Sequence, residues 1–106
     1  MNNVLWMFGI IFTLFGVLLI FFPPKKINGI YGYKTASSMK NIEAWHLGQQ
    51  LGGRGLLLIG LCELGFAGLS LTFNHFMINN SIYGIGILIV GIIFTFIYTE
   101  GRLKAL

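Results

Sequence analysis

Three long runs of apolar residues alternate with polar segments along the chain. The first run covers residues 4–22 and the third covers residues 82–99, and neither contains a charged residue. The second covers residues 56–73 and contains one charge, at Glu63. Each run approaches the ~20 apolar residues that a helix needs to cross a bilayer. The pattern therefore predicts three transmembrane helices.

The polar segment between the first two runs, residues 23–55, predicts a fourth element. Pro23 and Pro24 are expected to end the first helix. From about Ser38, which with Ser37 is a candidate cap, apolar residues recur at three-residue spacing, as in an amphipathic helix at the membrane interface. These residues are Met39, Ile42 and Trp45. Four glycines before the second run weaken that helix and favour a bend, and the sequence does not decide whether the helix continues into the second span.

The composition supports a membrane protein. Of the 106 residues, 56% are hydrophobic and 9% are charged, against roughly 25% charged in an average soluble domain. The predicted fold class is an all-α integral membrane protein with three transmembrane helices and an amphipathic interfacial helix between the first and second. Residues 1–106 are expected to form a single membrane domain.

The distribution of charge predicts the topology. The basic residues lie between the first two runs or after the third, and none lies between the second and third. The positive-inside rule then places the N-terminus outside, and the loop and C-terminus in the cytoplasm, of a multi-pass membrane protein. The basic residues are Lys25, Lys26, Lys34, Lys40, Arg54, Arg102 and Lys104.

Each predicted span has one face of small or polar residues, which would let the helices approach closely within lipid. We therefore expect a compact bundle with its large apolar side chains facing lipid. The faces comprise Asn2, Gly9, Thr13 and Gly16 in the first span, Gly53, Gly60, Glu63, Ala67, Ser70 and Asn74 in the second, and Gly84, Gly91, Thr95, Tyr98 and Arg102 in the third.

Glu63 is a charged residue type within a predicted span, and a charge there costs at least ~3 kcal/mol on insertion scales. It should therefore face the bundle. One interpretation is a neutral side chain that holds the helices together through a hydrogen bond. The candidate partners are Thr13, Thr95 and Tyr98. The other interpretation is a ligand-facing or proton-linked group.

The sequence offers little support for a metal site, a cofactor or catalysis. Glu43 and His46 have the spacing of two ligands on one helical face, but a bundle metal site needs a second such pair. With Gln49 they form the one polar group that a membrane enzyme could use at the interface. We predict no metal, no cofactor, no enzyme activity and no nucleic-acid partner. The loop cations and aromatic residues instead suit contact with membrane lipid.

The polar segment resembles the signature of the SdpI-type family, small bacterial membrane proteins related to the immunity protein for a sporulation-delay peptide toxin. The matching residues are Pro24, Asn28, Gly29, Tyr31, Gly32, Tyr33, Lys34, Thr35, Ser38, Met39, Lys40, Asn41 and Trp45. The chain departs from the family pattern at Gly48 and Gln49, where Ala and Asn are usual, and at Lys34, where Arg is common.

The resemblance implies an immunity protein of the bacterial cytoplasmic membrane that protects the cell against a secreted toxic peptide, and our physical hypothesis is that it binds the peptide in the membrane. The alternative is a small transporter or an oligomeric channel that uses Glu63, and a homo-oligomer is possible. The residues expected to bind a ligand or partner are Asn28, Tyr31, Tyr33, Lys34, Thr35, Ser38, Lys40, Asn41, Trp45, Gln49 and Glu63.

Overall fold

The computed structural model of the chain describes residues 4–72 and 80–106. These residues form three α-helices, and no strand occurs among them. In chain order the helices are α1 (Val4–Phe21), α2 (Ile42–Thr72) and α3 (Asn80–Lys104). The predicted all-α class is confirmed.

Within the described residues, two helices are long and apolar enough to cross a membrane. They contain the candidate spans Ile42–Leu69 and Gly84–Lys104. The apolar stretch of α1, Leu5–Phe21, is shorter. A crossing by α1 therefore stays a prediction. The polar connection expected after residue 73 lies mostly outside the described residues.

The segment predicted as an interfacial helix is the first part of α2. This helix runs without interruption for 31 residues from Ile42, which corresponds to about 46 Å at 1.5 Å per residue. The sequence left its continuity with the second span undecided, and the structure shows one continuous helix. The predicted start near Ser38 is wrong, because the chain forms a turn there, and the bend favoured by the glycines is absent from α2.

Those glycines serve close packing rather than a break. A Cβ atom on Gly52 would lie 3.1 Å from Cβ of Tyr33, and one on Gly53 would lie 2.9 Å from Cβ of Leu19. Contacts with the preceding loop and with α1 thus replace the helix propensity that glycine lacks. This agrees with the general finding that tertiary packing supplies most helical stability in proteins.

Helices α1 and α2 pack side by side in opposite directions. Gly16 lies against Leu57 and Thr13 lies against Gly60, so the partner's number falls as the chain advances along α1. A Cβ atom on Gly16 would lie 2.7 Å from Cα of Leu57. The small-residue faces predicted for the first two spans are therefore confirmed as the contact between these helices at Thr13, Gly16, Gly53 and Gly60. The predicted face residues Asn2 and Asn74 lie outside the described residues.

Helix α3 also runs antiparallel to α2, with Gly91 against Ile59 and Thr95 against Gly55. It is packed more shallowly, since 11% of its candidate span is buried compared with 44% for α2. Tyr98 and Arg102 were expected on its inner face, but both are exposed. Shallow packing leaves most of the large apolar side chains of α3 on the outer surface.

Candidate functional site

The end of α1, the start of α2 and the end of α3 meet at one end of the bundle, here called the basic end. Residues 22–41, here called the basic loop, connect α1 to α2 there. The basic loop contains no helix or strand, so its conformation depends on side-chain hydrogen bonds.

Asn28 organises the first turn of the basic loop. Its Oδ1 accepts hydrogen bonds from the backbone N–H groups of Ile30 (2.9 Å) and Tyr31 (2.8 Å). Its Nδ2 donates to the carbonyl of Lys26 at 2.9 Å. Asparagine favours turns because its side chain can replace backbone partners in this way. The hydroxyl of Tyr31 then donates to the carbonyl of Phe22 (3.1 Å), which holds the turn against the end of α1.

Gln49 fixes the basic loop to α2. The backbone N–H of Tyr33 donates to Oε1 of Gln49 at 2.7 Å, and Nε2 of Gln49 donates back to the carbonyl of Tyr33 at 2.8 Å. Gln49 is fully buried. The preceding residue, Gly32, has a φ angle of +111°, a conformation that favours glycine. One buried side chain thus satisfies both backbone groups of Tyr33.

Glu100 fixes the basic loop to α3. Its Oε2 accepts hydrogen bonds from the hydroxyls of Tyr33 (2.6 Å) and Thr35 (2.7 Å). Burial, followed by the hydrogen bond to Glu100 and the negative charge of that carboxylate, raises the pKa of Tyr33 above its ordinary value of 10.0. Tyr33 is therefore a neutral donor to a carboxylate, the kind of hydrogen bond that is stronger than one between neutral groups.

The last turn of the basic loop prepares the start of α2. The backbone N–H of Thr35 donates to Oγ of Ser38 (2.8 Å), and the N–H of Ser38 donates to Oγ1 of Thr35 (3.1 Å). Oδ1 of Asn41 then accepts from the N–H of Ala44 at 2.7 Å. This is helix capping. Asn41 is the cap, and the prediction of Ser37 or Ser38 in that role is wrong because the helix begins later.

Two further hydrogen bonds close the basic end. Nε1 of Trp45, a fully buried side chain, donates to the carbonyl of Pro24 at 2.8 Å. Nζ of Lys40 donates to the carbonyl of Leu103 at 3.0 Å. A cation at a helix C-terminus is favourable because the last carbonyls carry partial negative charge. The loop thereby contacts the ends of all three helices.

The structure brings together all the predicted site residues except Glu63. They lie at the basic end, and most of their polar atoms bond to the chain's own backbone or to Glu100. The group therefore folds and fastens the basic loop, and its binding of an outside ligand stays a prediction. Lys34 also bonds to the backbone, at the carbonyl of Gly29 (2.8 Å), but its side chain is exposed and does not bond to Glu100.

Glu63 lies apart from this group, about two thirds of the way along α2, and is fully buried. The predicted inward orientation is confirmed. Within the described residues, neither of its carboxyl oxygens has a hydrogen-bond partner, and Oγ1 of Thr13 has none either. The hydroxyl of Tyr98 instead accepts from Arg102 at 3.0 Å. The predicted interhelical hydrogen bonds of Glu63 are not present.

The polar group proposed for a membrane enzyme is not one surface. Glu43 and His46 are exposed on the first turns of α2, whereas Gln49 is buried against the basic loop. In the described part of the chain, no three His, Cys, Asp or Glu side chains come close enough to hold a metal ion. Glu43, His46 and Gln49 therefore do not form one polar site at the interface.

The side of α2 that faces α3 forms an open apolar groove of about 860 Å³, here called the α2–α3 groove. Leu58 and Phe66 of α2 face Val90 and Phe94 of α3 across it. Arg54 lines the groove towards the basic end, and it has no hydrogen bond or ion pair with the described residues. The groove thus combines an apolar floor with one available cation.

Glu100 was not predicted as a site residue. It follows the third apolar run directly and precedes Arg102 and Lys104, so it looked like part of a charged tail. A usable signal was present, since the chain has three acidic residues and seven basic ones. An acid in such a chain has many possible hydrogen-bond donors, and the polar loop was predicted on the same side of the membrane.

Comparison with known proteins finds similarity to a protein family and to a curated bacterial protein. The family model described as the SdpI/YfhL protein family matches residues 25–99, which include most of the basic loop, α2 and most of α3. A protein of Bacillus subtilis (strain 168), named "Uncharacterized protein YfhL", is 37% identical over 89 residues, covering 84% of this chain and 76% of that protein. No solved structure matches the chain.

Proposed function

Because this chain belongs to the SdpI/YfhL protein family, we propose that it is a membrane immunity protein, which protects a bacterial cell by binding a secreted toxic peptide in the membrane. In this proposal the basic end faces the cytoplasm. The observation that supports binding is the open α2–α3 groove, which is a surface of the right kind for a membrane-inserted peptide.

The dimensions and chemistry of the α2–α3 groove suit an amphipathic helical peptide. Its volume of about 860 Å³ lies within the range of roughly 300–1,000 Å³ that is typical of ligand sites. Recognition of an amphipathic helix by an apolar groove is a recurrent mode of peptide binding. Arg54 would bind an acidic side chain or the terminal carboxylate of such a peptide.

The basic loop has a supporting role in this proposal. It joins α2 through Gln49 and α3 through Glu100, so it holds the ends of these two helices at a fixed separation. The shallow contact between α2 and α3 then leaves the groove open. A cytoplasmic loop can in this way contribute to resistance without meeting a peptide that arrives from outside.

The test is survival of a toxin-sensitive bacterium that expresses the chain and is challenged with secreted amphipathic peptides of the sporulation-delay type. Gly86 lines the groove, and nothing lies within 4 Å of the position that a Cβ atom would take there. Gly86→Leu would therefore fill the groove without a clash at Cβ. Gly68 also has open space but does not line the groove, and Gly68→Leu is the matched control. Membrane abundance is measured for each variant.

Protection by the wild type and by Gly68→Leu, with loss in Gly86→Leu at equal abundance, would support peptide binding in the groove. Protection by all three would contradict the groove as the binding surface. Absence of protection by the wild type against every such peptide would contradict immunity of this kind.

A second candidate function, proton-linked or ion-linked transport, is favoured by Glu63. A fully buried carboxyl group without a hydrogen-bond partner among the described residues is unusual, and intramembrane acids often take part in ion or proton pathways. Reconstituted protein would be tested for proton and sodium flux, with Glu63→Gln as the variant. Flux that Glu63→Gln abolishes would favour transport, and equal flux with and without protein would exclude it.

A further inference from the structure

A second, smaller cavity lies at the basic end, on the side where α1 and α3 approach each other. Its volume is about 380 Å³. Leu56 of α2 forms part of its floor, Leu19 of α1 and Phe96 of α3 lie at its sides, and Tyr33 and Lys34 of the basic loop cover it. It is here called the roofed cleft, and it does not belong to the α2–α3 groove.

Lys34 lies between two residues that bond to Glu100. The hydroxyls of Tyr33 and Thr35 both donate to that carboxylate, whereas Lys34 lines the roofed cleft and has an exposed side chain. Its ammonium group donates to the carbonyl of Gly29 and to no other described residue. An ammonium group has three donors, so two remain available.

Lys34 contributes one hydrogen bond to the fold of the basic loop, and the rest of its ammonium group is exposed. Asn28, Tyr33 and Ser38 each bond to atoms that shape the turn or hold it to a helix. The bond from Lys34 to Gly29 lies on the exposed surface of the loop. A cation placed in this way is available to an external anion.

The chemistry of the roofed cleft matches a phospholipid. Its walls are apolar and open towards the side that would face acyl chains, and a cation stands where the headgroup region of the membrane would lie. Lys25 and Lys26, both exposed in the same loop, add positive charge that favours an anionic headgroup. The cleft has less than half the volume of the α2–α3 groove, so it suits one acyl chain better than a helix, which with its side chains is about 10–12 Å across.

We infer that the roofed cleft binds one anionic phospholipid, with its phosphate on Lys34 and one acyl chain between Leu56 and Phe96. The site is independent of the proposed immunity, because it uses a different cavity from the α2–α3 groove. The bound lipid fills the space between α1 and α3, which the protein's own side chains leave open.

The experiment measures lipid binding to the purified chain in detergent micelles by native mass spectrometry. Phosphatidylglycerol and phosphatidylcholine with identical acyl chains are compared, with glycerol phosphate as the soluble headgroup. We expect one phosphatidylglycerol to bind more tightly than phosphatidylcholine, and glycerol phosphate to bind much more weakly than either lipid. Binding of glycerol phosphate as tightly as the lipid would overturn the acyl-chain part of the inference.

Two pairs of matched variants locate the site. Lys34→Gln should weaken phosphatidylglycerol binding about fivefold, the effect of one surface-near cation, while Lys104→Gln, which removes the same charge at an exposed position that does not line the cleft, should have a smaller effect. Ile92→Trp would narrow the cleft and lower the affinity for both lipids, whereas Ile93→Trp, on the neighbouring exposed position, should not. Equal effects within either pair would overturn the assignment of lipid to the cleft.

Discussion

The backbone of Tyr33 and the side chain of Gln49 are joined by two hydrogen bonds that run in opposite directions, at 2.7 and 2.8 Å. A side-chain amide here does what a neighbouring strand does in a sheet, since it satisfies a backbone donor and a backbone acceptor together. The basic loop can therefore remain extended next to α2 without secondary structure of its own.

Replacement of Gln49 should destabilise the protein more than replacement of its neighbour. Gln49→Leu would leave the N–H of Tyr33 without a partner and its carbonyl with only the hydroxyl of Ser38, at 3.2 Å, and a buried group without a partner costs about 1–3 kcal/mol. Gln50 is exposed, and Gln50→Leu should change the unfolding free energy little. Thermal unfolding in detergent micelles measures both. Equal stability of the two variants would contradict the role assigned to Gln49.

Removal of the charge on Glu100 should loosen the basic loop. In Glu100→Gln the hydroxyls of Tyr33 and Thr35 would bond to a neutral acceptor, so we expect a loss of about 1 kcal/mol, the difference between charged and neutral hydrogen bonds. Glu43→Gln, at an exposed position, is the control. Limited proteolysis of the basic loop should become faster in the first variant, and an unchanged rate would argue against the contact.

Stability should fall as the pH rises above about 10, the ordinary pKa of tyrosine. Because burial and Glu100 raise the pKa of Tyr33 in the folded chain, the unfolded chain loses this proton first. Between the pKa of Tyr33 in the unfolded chain and its higher pKa in the folded chain, the folded state binds more protons, so stability decreases as the pH rises. Below the pKa of the unfolded chain, stability does not depend on the ionisation of Tyr33. Absorbance titration should show one tyrosine ionising late, and Tyr33→Phe should remove that phase. A late phase that persists in Tyr33→Phe would belong to another tyrosine.

A methyl group at Gly16 should separate α1 from α2. Its Cβ would meet the backbone of Leu57, which cannot rotate away, and overpacking of this kind costs about 1–3 kcal/mol. Gly101 has nothing within 4 Å of its Cβ position. Gly101→Ala should therefore be neutral or stabilising through helix propensity. Unfolding in micelles compares the two, and a Gly16→Ala protein as stable as the wild type would refute this helix contact.

An apolar side chain should be tolerated at Glu63. Neither carboxyl oxygen has a partner to lose within the described residues, so Glu63→Met removes an unsatisfied buried group, which is worth on the order of 1 kcal/mol. Glu63→Gln keeps polar atoms at the same place and should be less stable than Glu63→Met. The reverse order in thermal unfolding would show that the oxygens are hydrogen-bonded in the folded protein.

The helices could be predicted from the sequence because hydrophobic runs and prolines are local signals. The first predicted span, residues 4–22, coincides with α1 to within one residue, and the third, residues 82–99, lies within α3. The glycines before residue 56 were misleading, because helix propensity alone cannot show that Tyr33 and Leu19 pack on them. Tertiary contact overrode a local preference there.

All the predicted site residues except Glu63 lie together at the basic end, but their contacts could not be inferred from spacing. Gln49 and Trp45 bond to backbone atoms 16 and 21 positions earlier in the chain. Glu100 is 67 positions from Tyr33. Periodicity describes neighbours within one helix, and it carries no information about contacts over such distances.

The contact between Tyr33 and Glu100 also sets an order of events during biosynthesis. The chain is made from its N-terminus, so α1, the basic loop and α2 are complete before Glu100 is added. Tyr33 can pair with Gln49 at that stage, but the hydroxyls of Tyr33 and Thr35 have no carboxylate to bind until the ribosome reaches the end of α3. The basic loop is synthesised early, but it consequently reaches its final conformation last, after α3 has been made.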